Sequence, residues 1–390
     1  MAPFDPEAPL PGAPDPWRPS SMPTPRSGPP FVMTDMISAE PALGARIVDR
    51  LRADPSLHAV AGRVLRAGVD GAPILATGCG TSLHAAAGLA AILNLALGRH
   101  AVRHVQALEL ARELEQWPSE SGLVLAVSHE GGTWATNLAL EAARAAGVAT
   151  ALVTVSGRSP GAALADHLLL TIEQDQSWCH TVGYLSPLLA AATLAGELSG
   201  SPLAPHVVRG VLTDSASEAA SAEMAAGLSA CDRLMMVGSG LDRWAAAELA
   251  LKVEEGARLP ATAMELETIR HGHLAAASTR TGLVLLLTDA EGWGAPLIDR
   301  SVAVLRSAQA LGMPAAAIVA ADLADRLPPG LTPAGRQAVP VQASLHRAAA
   351  AALAGAIPIQ LLAERLARAR GVEPDTIGRT DPRQVAAADA

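Results

Sequence analysis

The sequence predicts an α/β protein built from two tandem, doubly wound parallel-sheet domains, each with three α/β/α layers. Short uncharged apolar runs alternate with longer amphipathic runs, which is typical of a parallel sheet covered by helices on both faces. The pattern then starts again, because Gly78 and Gly238 each open the loop after a first strand. A chain of 390 residues is also longer than one core normally needs.

The first domain is predicted over residues 31–205. It begins with a helix, because Met36, Leu43 and Leu51 lie at helical spacing. Its strands are predicted at PILAT, LVLAV, ATALVTV and LLLT. Before it, residues 1–30 contain 11 of the 29 prolines and little apolar periodicity, so we predict a disordered tail there.

The second domain is predicted over residues 206–368, after a linker near 201–212. Its strands are RLMMV, TGLVLLL and PAAAIVA, again uncharged and separated by helical sequence. A helical segment at 344–370 leads into a polar C-terminal tail, residues 369–390.

Composition and charge exclude several classes of function. The net charge is −9 and no Lys/Arg-rich block occurs, so we expect neither a nucleic-acid nor a membrane partner. The longest charge-free apolar run is about 16 residues, short of the roughly 20 that span a bilayer. No signal-peptide pattern is present, and the three cysteines lie far apart. We therefore expect a cytoplasmic protein.

Two loops that follow predicted strands carry glycines and hydroxyls. GCGTS (78–82) offers close backbone approach, two hydroxyl side chains and a helix N-terminus, which suit an anionic or polyhydroxylated ligand. SHEGGT (128–133) is a second loop of the same kind. Ligands of parallel sheets bind in such strand-to-helix loops. Plain turns with hydroxyl caps remain the alternative, and neither loop is a dinucleotide or P-loop motif.

The chain contains a single lysine, Lys252, against 28 arginines. A composition this biased indicates a position that needs a compact ammonium rather than a planar guanidinium. Glu255 lies three residues further on, on the same helix face. A solvated surface pair is the other interpretation of this spacing.

The sequence HGH places His271 and His273 two residues apart. A metal pair is one interpretation, but no cysteine or carboxylate stands at a convincing ligand spacing. A single catalytic imidazole, with the other histidine structural, is the interpretation we adopt. We expect no metal and no cofactor.

Four motifs in series resemble the tandem sugar isomerase (SIS) family: GCGTSLHAA, SHEGGTWAT, AAELALKVEEGARLPATAMELETIRHGHLAA and GVEPDTIGRTDPR. The pattern is similar to the isomerase half of glucosamine-6-phosphate synthase and to related sugar isomerases, deaminases and fructosamine deglycases. The resemblance spans roughly residues 33–385. It implies two doubly wound SIS domains, a homodimer with shared active sites, and a sugar-derivative site between the two domains, with the C-terminal tail near it.

The resemblance also implies roles for individual residues. Lys252 and Glu255 match the lysine and the proton-transferring glutamate of the family helix. His271 matches a ring-opening histidine, which in relatives enters the neighbouring subunit's site. The candidate substrate-binding residues lie in the first ligand loop, in the phosphate loop usually written SQSGET, and in the tail: Cys79, Gly80, Thr81, Ser82, Ser128, His129, Glu130, Thr133, Arg379 and Arg383.

The sequence departs from the family pattern at several places. Glu130 stands where the phosphate loop has a serine, and His273 replaces the usual proline. The tail has no lysine for a Schiff base, and its arginines cannot substitute because they are permanently protonated. We also expect no N-terminal glutaminase domain. Position 2 is Ala rather than a nucleophilic Cys, so we expect no ammonia production from glutamine.

These residues predict aldose–ketose or imine–enamine isomerisation of a sugar derivative. His271 would open the ring, Glu255 would move a proton between C1 and C2, and Lys252 would stabilise the developing enediolate. Two alternatives stay open: an amino-sugar deaminase or fructosamine deglycase with the same Glu/His pair, and a non-catalytic sugar-binding regulator. Because of Glu130, we predict that the substrate group reaching the second loop is not a phosphate.

Overall fold

A computed structural model describes residues 3–114, 122–289 and 295–389 of the chain. It contains two five-stranded, all-parallel sheets with helices packed on them, which confirms the predicted α/β class. The strand order is β2-β1-β3-β4-β5 in the first sheet and β10-β9-β8-β6-β7 in the second. The strands are β1 (Ile74–Gly78), β2 (Val102–Gln106), β3 (Leu123–Val127), β4 (Ala149–Thr154), β5 (His167–Leu170), β6 (Arg233–Val237), β7 (Ala261–Met264), β8 (Thr281–Leu287), β9 (Ala315–Ala320) and β10 (Arg336–Val339).

The helices connect the strands and cover the sheets. They are α1 (Val32–Ala53), α2 (Pro55–Asp70), α3 (Thr81–Ala96), α4 (Ala107–Leu114), α5 (Trp134–Ala145), α6 (Val182–Leu198), α7 (Pro205–Ser215), α8 (Glu218–Leu228), α9 (Asp242–Ala257), α10 (Ala295–Ala310), α11 (Arg347–Ala369) and α12 (Pro382–Asp389). Short 3₁₀ turns lie between β7 and β8 and between β9 and β10.

The seven strands expected from apolar runs are all present. Three further strands, β2, β7 and β10, were not predicted, and each lies at the edge of its sheet. Their sequences (VRHVQ, ATAM and RQAV) include polar or exposed positions. An edge strand is covered less completely than a central one, so it does not need the continuous apolar run that identifies a central parallel strand.

One large hydrophobic core joins the two domains. Helix α1 packs on α6 and α7, and α11 packs on α6, α7, α8 and α9. Buried residues from both halves meet in this core, among them Leu43, Leu189, Leu212 and Leu362. The second sheet has a further apolar cluster on its other face, which includes Leu285 and Val319. The helices between the sheets therefore fix the position of one domain against the other.

Helix α11 is the one described helix that is long and apolar enough to cross a membrane. In the fold, 83% of its apolar window is buried. Burial of this extent is typical of a core helix.

The N-terminal segment differs from its prediction as a disordered tail. Residues 3–30 contain no helix or strand, but they lie along the first domain. Leu10 is 6% exposed, Gly12 forms a bridge with Glu173, and the Trp17 indole donates a hydrogen bond to the Glu130 carbonyl. These partners are more than a hundred positions away along the chain, so local periodicity does not reveal them.

Two further segments differ from the sequence prediction. Helix α7 covers most of the linker expected near 201–212. The tail contains the short helix α12, after a turn region that contacts the start of α1. The domain boundaries 31–205, 206–368 and 369–390 stay predictions.

Candidate functional site

The candidate site is a cavity of about 850 Å³ at the carboxyl ends of β1 and β3. These strands are neighbours in the first sheet, and the chain leaves them toward opposite edges. The cavity therefore lies where the strand order changes direction, the usual ligand position in an open α/β sheet. Helix α9, the segment around Trp178 and residues from both ends of the chain complete its walls.

The first loop, 78–82, turns sharply from β1 into α3. A Cβ at Gly78 would lie 2.6 Å from the Ser82 carbonyl oxygen, and Gly80 has a φ of 54°. Both positions therefore need glycine. Cys79, Gly80, Thr81 and Ser82 all line the cavity, as the sequence predicts for a ligand loop.

The second loop, 128–133, is more enclosed. Ser128 is 1% exposed and its hydroxyl donates to Thr133 Oγ1 over 3.3 Å, so it lies behind the wall that Thr133 and His129 form. His129 Nε2 accepts a hydrogen bond from the Asp175 backbone N–H at 2.9 Å. Burial, with the neighbouring His180, lowers the pKa of His129 to about 4. This histidine is therefore neutral at pH 7.

Glu130 lines the cavity, but its carboxylate already has partners. Oε2 accepts from the Ser20 backbone N–H at 3.0 Å, and Oε1 accepts from the Gln174 side-chain amide at 3.3 Å. Burial raises the pKa of Glu130, but the hydrogen bonds from Ser20, together with the neighbouring His129 and His180, outweigh it and the net pKa is lowered. The residue therefore carries a negative charge at neutral pH.

Lys252 and Glu255 form an ion pair in the cavity wall. The Lys252 Nζ lies 2.5 Å from Glu255 Oε2, and the lysine side chain is only 1% exposed while that of Glu255 is 24% exposed. Burial by itself lowers the pKa of Lys252, but the charges of Glu255 and Glu248 outweigh it and the net pKa is raised. The single lysine is therefore a buried, permanently charged group rather than a solvated surface residue.

Glu248, which is fully buried, stabilises this ion pair from its protein side. Its carboxylate accepts hydrogen bonds from Thr81 Oγ1 at 3.1 Å and from His84 Nδ1 at 2.8 Å, and it lies 3.7 Å from Lys252 Nζ. Burial raises the pKa of Glu248, but Lys252 and these hydrogen bonds outweigh it and the net pKa is lowered. The network connects the first loop in one domain to helix α9 in the other.

The C-terminal tail contributes one of its two predicted arginines. Arg379 lines the cavity, with its guanidinium 4.9 Å from the centre of the Trp178 ring. Arg383 does not line it, because its side chain is 90% exposed and paired with Asp381. The two candidates that look alike in sequence are therefore separated by the fold.

His271 lies outside this cavity. Its side chain is 71% exposed, and Nε2 lies 3.0 Å from Glu267 Oε1. A role in the site of a neighbouring subunit stays a prediction.

Sequence reasoning missed several cavity residues: Trp17, Ser20, Trp178 and His180. His180 packs edge-on against His129, with ring centres 5.4 Å apart. Burial first, and then the Lys252 charge, lower its pKa. These residues lie in segments without periodic pattern, and only the rarity of aromatic residues (2% of the chain) could have drawn attention to the tryptophans.

The arrangement combines a carboxylate, an ammonium, hydroxyls and glycine-rich backbone around one cavity. Such a set can bind a polyhydroxylated ligand and move a proton on it.

The comparison with protein families gives a match, which lies in the first domain. The model described as SIS domain matches residues 72–195, a range that contains both strand-end loops. No curated protein sequence matches the chain significantly.

Solved structures share the whole two-domain fold. The C-terminal domain of glucosamine-fructose-6-phosphate aminotransferase from Francisella tularensis has a TM-score of 0.76 and 18% identity, over 90% of this chain and 99% of that one. Tagatose-6-phosphate ketose/aldose isomerase from Escherichia coli has a TM-score of 0.73 and 18% identity, over 91% and 97%. Glucosamine-6-phosphate deaminase from Thermotoga maritima has a TM-score of 0.61 and 19% identity, over 78% and 87%. At identities this low, the likeness shows the fold.

Proposed function

We propose that this chain, whose residues 72–195 belong to the SIS domain family, is a sugar isomerase that moves a proton between neighbouring carbons of a sugar derivative. The observation that carries the proposal is the ion pair of Glu255 and Lys252 in the cavity wall. A positioned carboxylate can take a proton from one carbon and return it to the next.

Glu255 is the base in this proposal. The ion pair uses Oε2, whereas Oε1 has no hydrogen-bond partner among the described residues. The partly exposed side chain faces the cavity from the last turn of α9. One carboxylate oxygen is thus held in place while the other is available for the substrate proton.

Lys252 supplies a fixed positive charge. Its raised pKa keeps the ammonium protonated at neutral pH, so it serves neither as a base nor as a nucleophilic amine. When the substrate loses a carbon-bound proton, negative charge develops on the neighbouring oxygen. A preorganised cation in a site that excludes water stabilises that charge.

Glu255→Gln tests the proposal. Turnover should fall by about 10²–10⁴-fold, the usual contribution of general acid–base catalysis, while ligand affinity and the unfolding temperature change little. Glu254→Gln is the matched control, because Glu254 is exposed and its carboxylate accepts only from the Ala261 backbone N–H among the described residues. Both variants are assayed for isomer formation and for ammonia release on sugars and amino sugars.

The outcomes separate the candidate functions. Isomer formation that depends on Glu255 supports the isomerase, and ammonia release that depends on it supports a deaminase or deglycase. Equal turnover by both variants and wild type would mean that Glu255 is not the base. Ligand binding without any turnover by wild type would favour a sugar-binding regulator.

We further propose that the protein is a homodimer in which His271 acts in the neighbouring site. Its exposure and its absence from the residues that line the chain's own cavity support this proposal. Co-expressed Glu255→Gln and His271→Ala chains should then regain part of the activity that each lacks alone, because mixed dimers contain one intact site. Sedimentation of a fully active monomer would contradict the shared site.

A further inference from the structure

We infer that Arg379, rather than the loop 128–133, is the anion-binding element of the cavity, and that the substrate carries one carboxylate. The sugar part of this substrate rests on the proposed function, whereas the anion part rests on the charges that line the cavity.

The loop 128–133 is poorly suited to an anion in this chain. The Glu130 carboxylate lines the cavity there and takes the N–H of Ser20. The Trp17 ring lies against Gly132, since a Cβ on that glycine would be 2.7 Å from Cζ2 of the indole. His129 is neutral and adds no compensating charge. An incoming phosphate would meet the like charge of Glu130, which already takes the Ser20 N–H.

Arg379 has the opposite character. No hydrogen bond or ion pair of its guanidinium occurs within residues 3–114, 122–289 and 295–389. The three carboxylates nearest to it along the tail have other partners. Glu373 accepts from the Thr376 hydroxyl, Asp375 from the backbone of Val32 and Met33, and Asp381 pairs with Arg383, so none of these tail carboxylates pairs with Arg379.

The guanidinium is held in position for a ligand. It stacks on Trp178, whose indole N–H donates to Ser20 Oγ at 3.2 Å and whose backbone N–H donates to the Asp375 carbonyl at 3.0 Å. Just before Arg379, Ile377 has a φ of 46° and Gly378 a φ of 82°. A positive φ at a β-branched residue is strained, and such strain concentrates at functional sites.

The charge balance of the cavity favours a carboxylate over a phosphate. Lys252 is already paired with Glu255 and Glu248, so Arg379 is the unpaired cation among the described cavity residues. One guanidinium matches one carboxylate through two parallel hydrogen bonds. A dianionic phosphate would leave an extra negative charge in a cavity that also contains Glu130 and Glu255.

The test measures dissociation constants by calorimetry with Glu255 in place, because Glu255→Gln would remove the nearest partner of Lys252 and add a second cation to the cavity. NMR checks that each probe is unchanged during the titration. The probes are two matched pairs, D-glucuronate with D-glucose and fructosyl-glycine with 1-deoxy-1-(methylamino)-D-fructose, together with fructose 6-phosphate. At least one carboxylate probe should bind about tenfold or more tightly than its partner without the carboxylate, as a charge-assisted bidentate contact predicts.

Arg379→Gln should abolish this preference, whereas Arg383→Gln should retain it, because Arg383 is exposed and already paired. Arg379→Lys should retain only part of it, and thermal unfolding checks that each variant is folded. The inference is overturned if no carboxylate probe is preferred, if Arg379→Gln keeps the preference, or if fructose 6-phosphate binds most tightly and loses nothing in Arg379→Gln. A Glu130→Ser variant should gain affinity for fructose 6-phosphate, and an unchanged affinity counts against the role given to Glu130. Because only binding is measured, the result is independent of whether isomerisation occurs.

Discussion

The loop after β1 and the loop after β6 have similar backbone conformations, but the side chains at their fifth positions have different partners. A Cβ at Gly78 would lie 2.6 Å from the Ser82 carbonyl oxygen, and a Cβ at Gly238 would lie 2.4 Å from the Asp242 carbonyl oxygen. The third residue of each loop is a glycine with positive φ, 54° at Gly80 and 63° at Gly240. The two halves of the chain thus use one strand-to-helix turn twice.

The side chain at the fifth position separates the two loops. In the first domain it is Ser82, which lines the large cavity. In the second domain it is Asp242, which is 1% exposed and accepts from the Thr288 hydroxyl at 2.5 Å and backbone N–H at 2.9 Å. Asp289, next in sequence to Thr288, pairs with Arg347. The carboxylate in the loop after β6 is hydrogen-bonded to the protein's own groups, whereas the loop after β1 leaves room for a ligand.

This difference shows how two copies of one turn can take different roles, since one lines the large cavity and the other is bonded within the protein. The helix N-terminus and glycine-rich turn that attract a ligand are present in both halves. In the loop after β6, the buried Asp242 carboxylate occupies donors that a ligand would need.

Of the substitutions that test this comparison, Asp242→Ala should have the largest effect, and it should be on stability. Removing the carboxylate leaves the Thr288 N–H without its acceptor and the Thr288 hydroxyl with only the Ala351 carbonyl at 3.4 Å, which should lower the free energy of unfolding by about 1–3 kcal/mol. Turnover per folded molecule should not change. Urea denaturation measures the stability and activity assays measure the turnover. A loss of ligand binding without a loss of stability would mean that the loop after β6 also contributes to a ligand site.

The same residue predicts a pH dependence. Burial raises the pKa of Asp242 to about 6, despite the hydrogen bonds from Thr288. The native state therefore keeps a proton that the unfolded chain releases near pH 4, and the stability from that proton is complete below pH 4 and lost as the pH rises through 6. The advantage of wild type over Asp242→Asn in unfolding free energy should thus shrink from pH 4 to pH 7. A constant difference over this range would contradict the raised pKa.

Ser82→Ala should give the smallest effect, and it should change ligand binding rather than stability. The Ser82 side chain has no hydrogen-bond partner among the described residues, so its removal should leave the unfolding free energy nearly unchanged. Loss of one hydrogen bond to a ligand should weaken binding by about 2–10-fold. Calorimetry and urea denaturation of this variant beside Asp242→Ala check the contrast. A destabilisation as large as that of Asp242→Ala would remove the distinction between the loops.

Sequence patterns predicted the part of the fold that depends on local burial. Central strands such as LVLAV are covered on both faces, so their composition identifies them directly. Edge strands such as VRHVQ share their faces with solvent and do not show the pattern. The positions of the two glycine loops followed from the strands they terminate, and the structure places both loops at one cavity.

The rest of the site depends on contacts between distant segments. Trp17 reaches Glu130 across 113 positions, and Trp178 and His180 lie in irregular chain before α6. Arg379 and Arg383 are the same residue type four positions apart, and the fold separates them: Arg379 lines the cavity, whereas Arg383 is exposed and paired with Asp381. No local property of the sequence contains this information.

The central claim is that the first-domain cavity moves a carbon-bound proton through Glu255, and solvent deuterium incorporation tests it most directly. A sugar ligand that binds by calorimetry is incubated in D₂O, and NMR follows deuterium at C2 of the aldose form and at C1 of the ketose form. We predict that wild type incorporates deuterium and that Glu255→Gln binds the same ligand but incorporates it at least about 10²-fold more slowly. Equal incorporation by both proteins, or none by wild type with the ligand bound, would contradict the account.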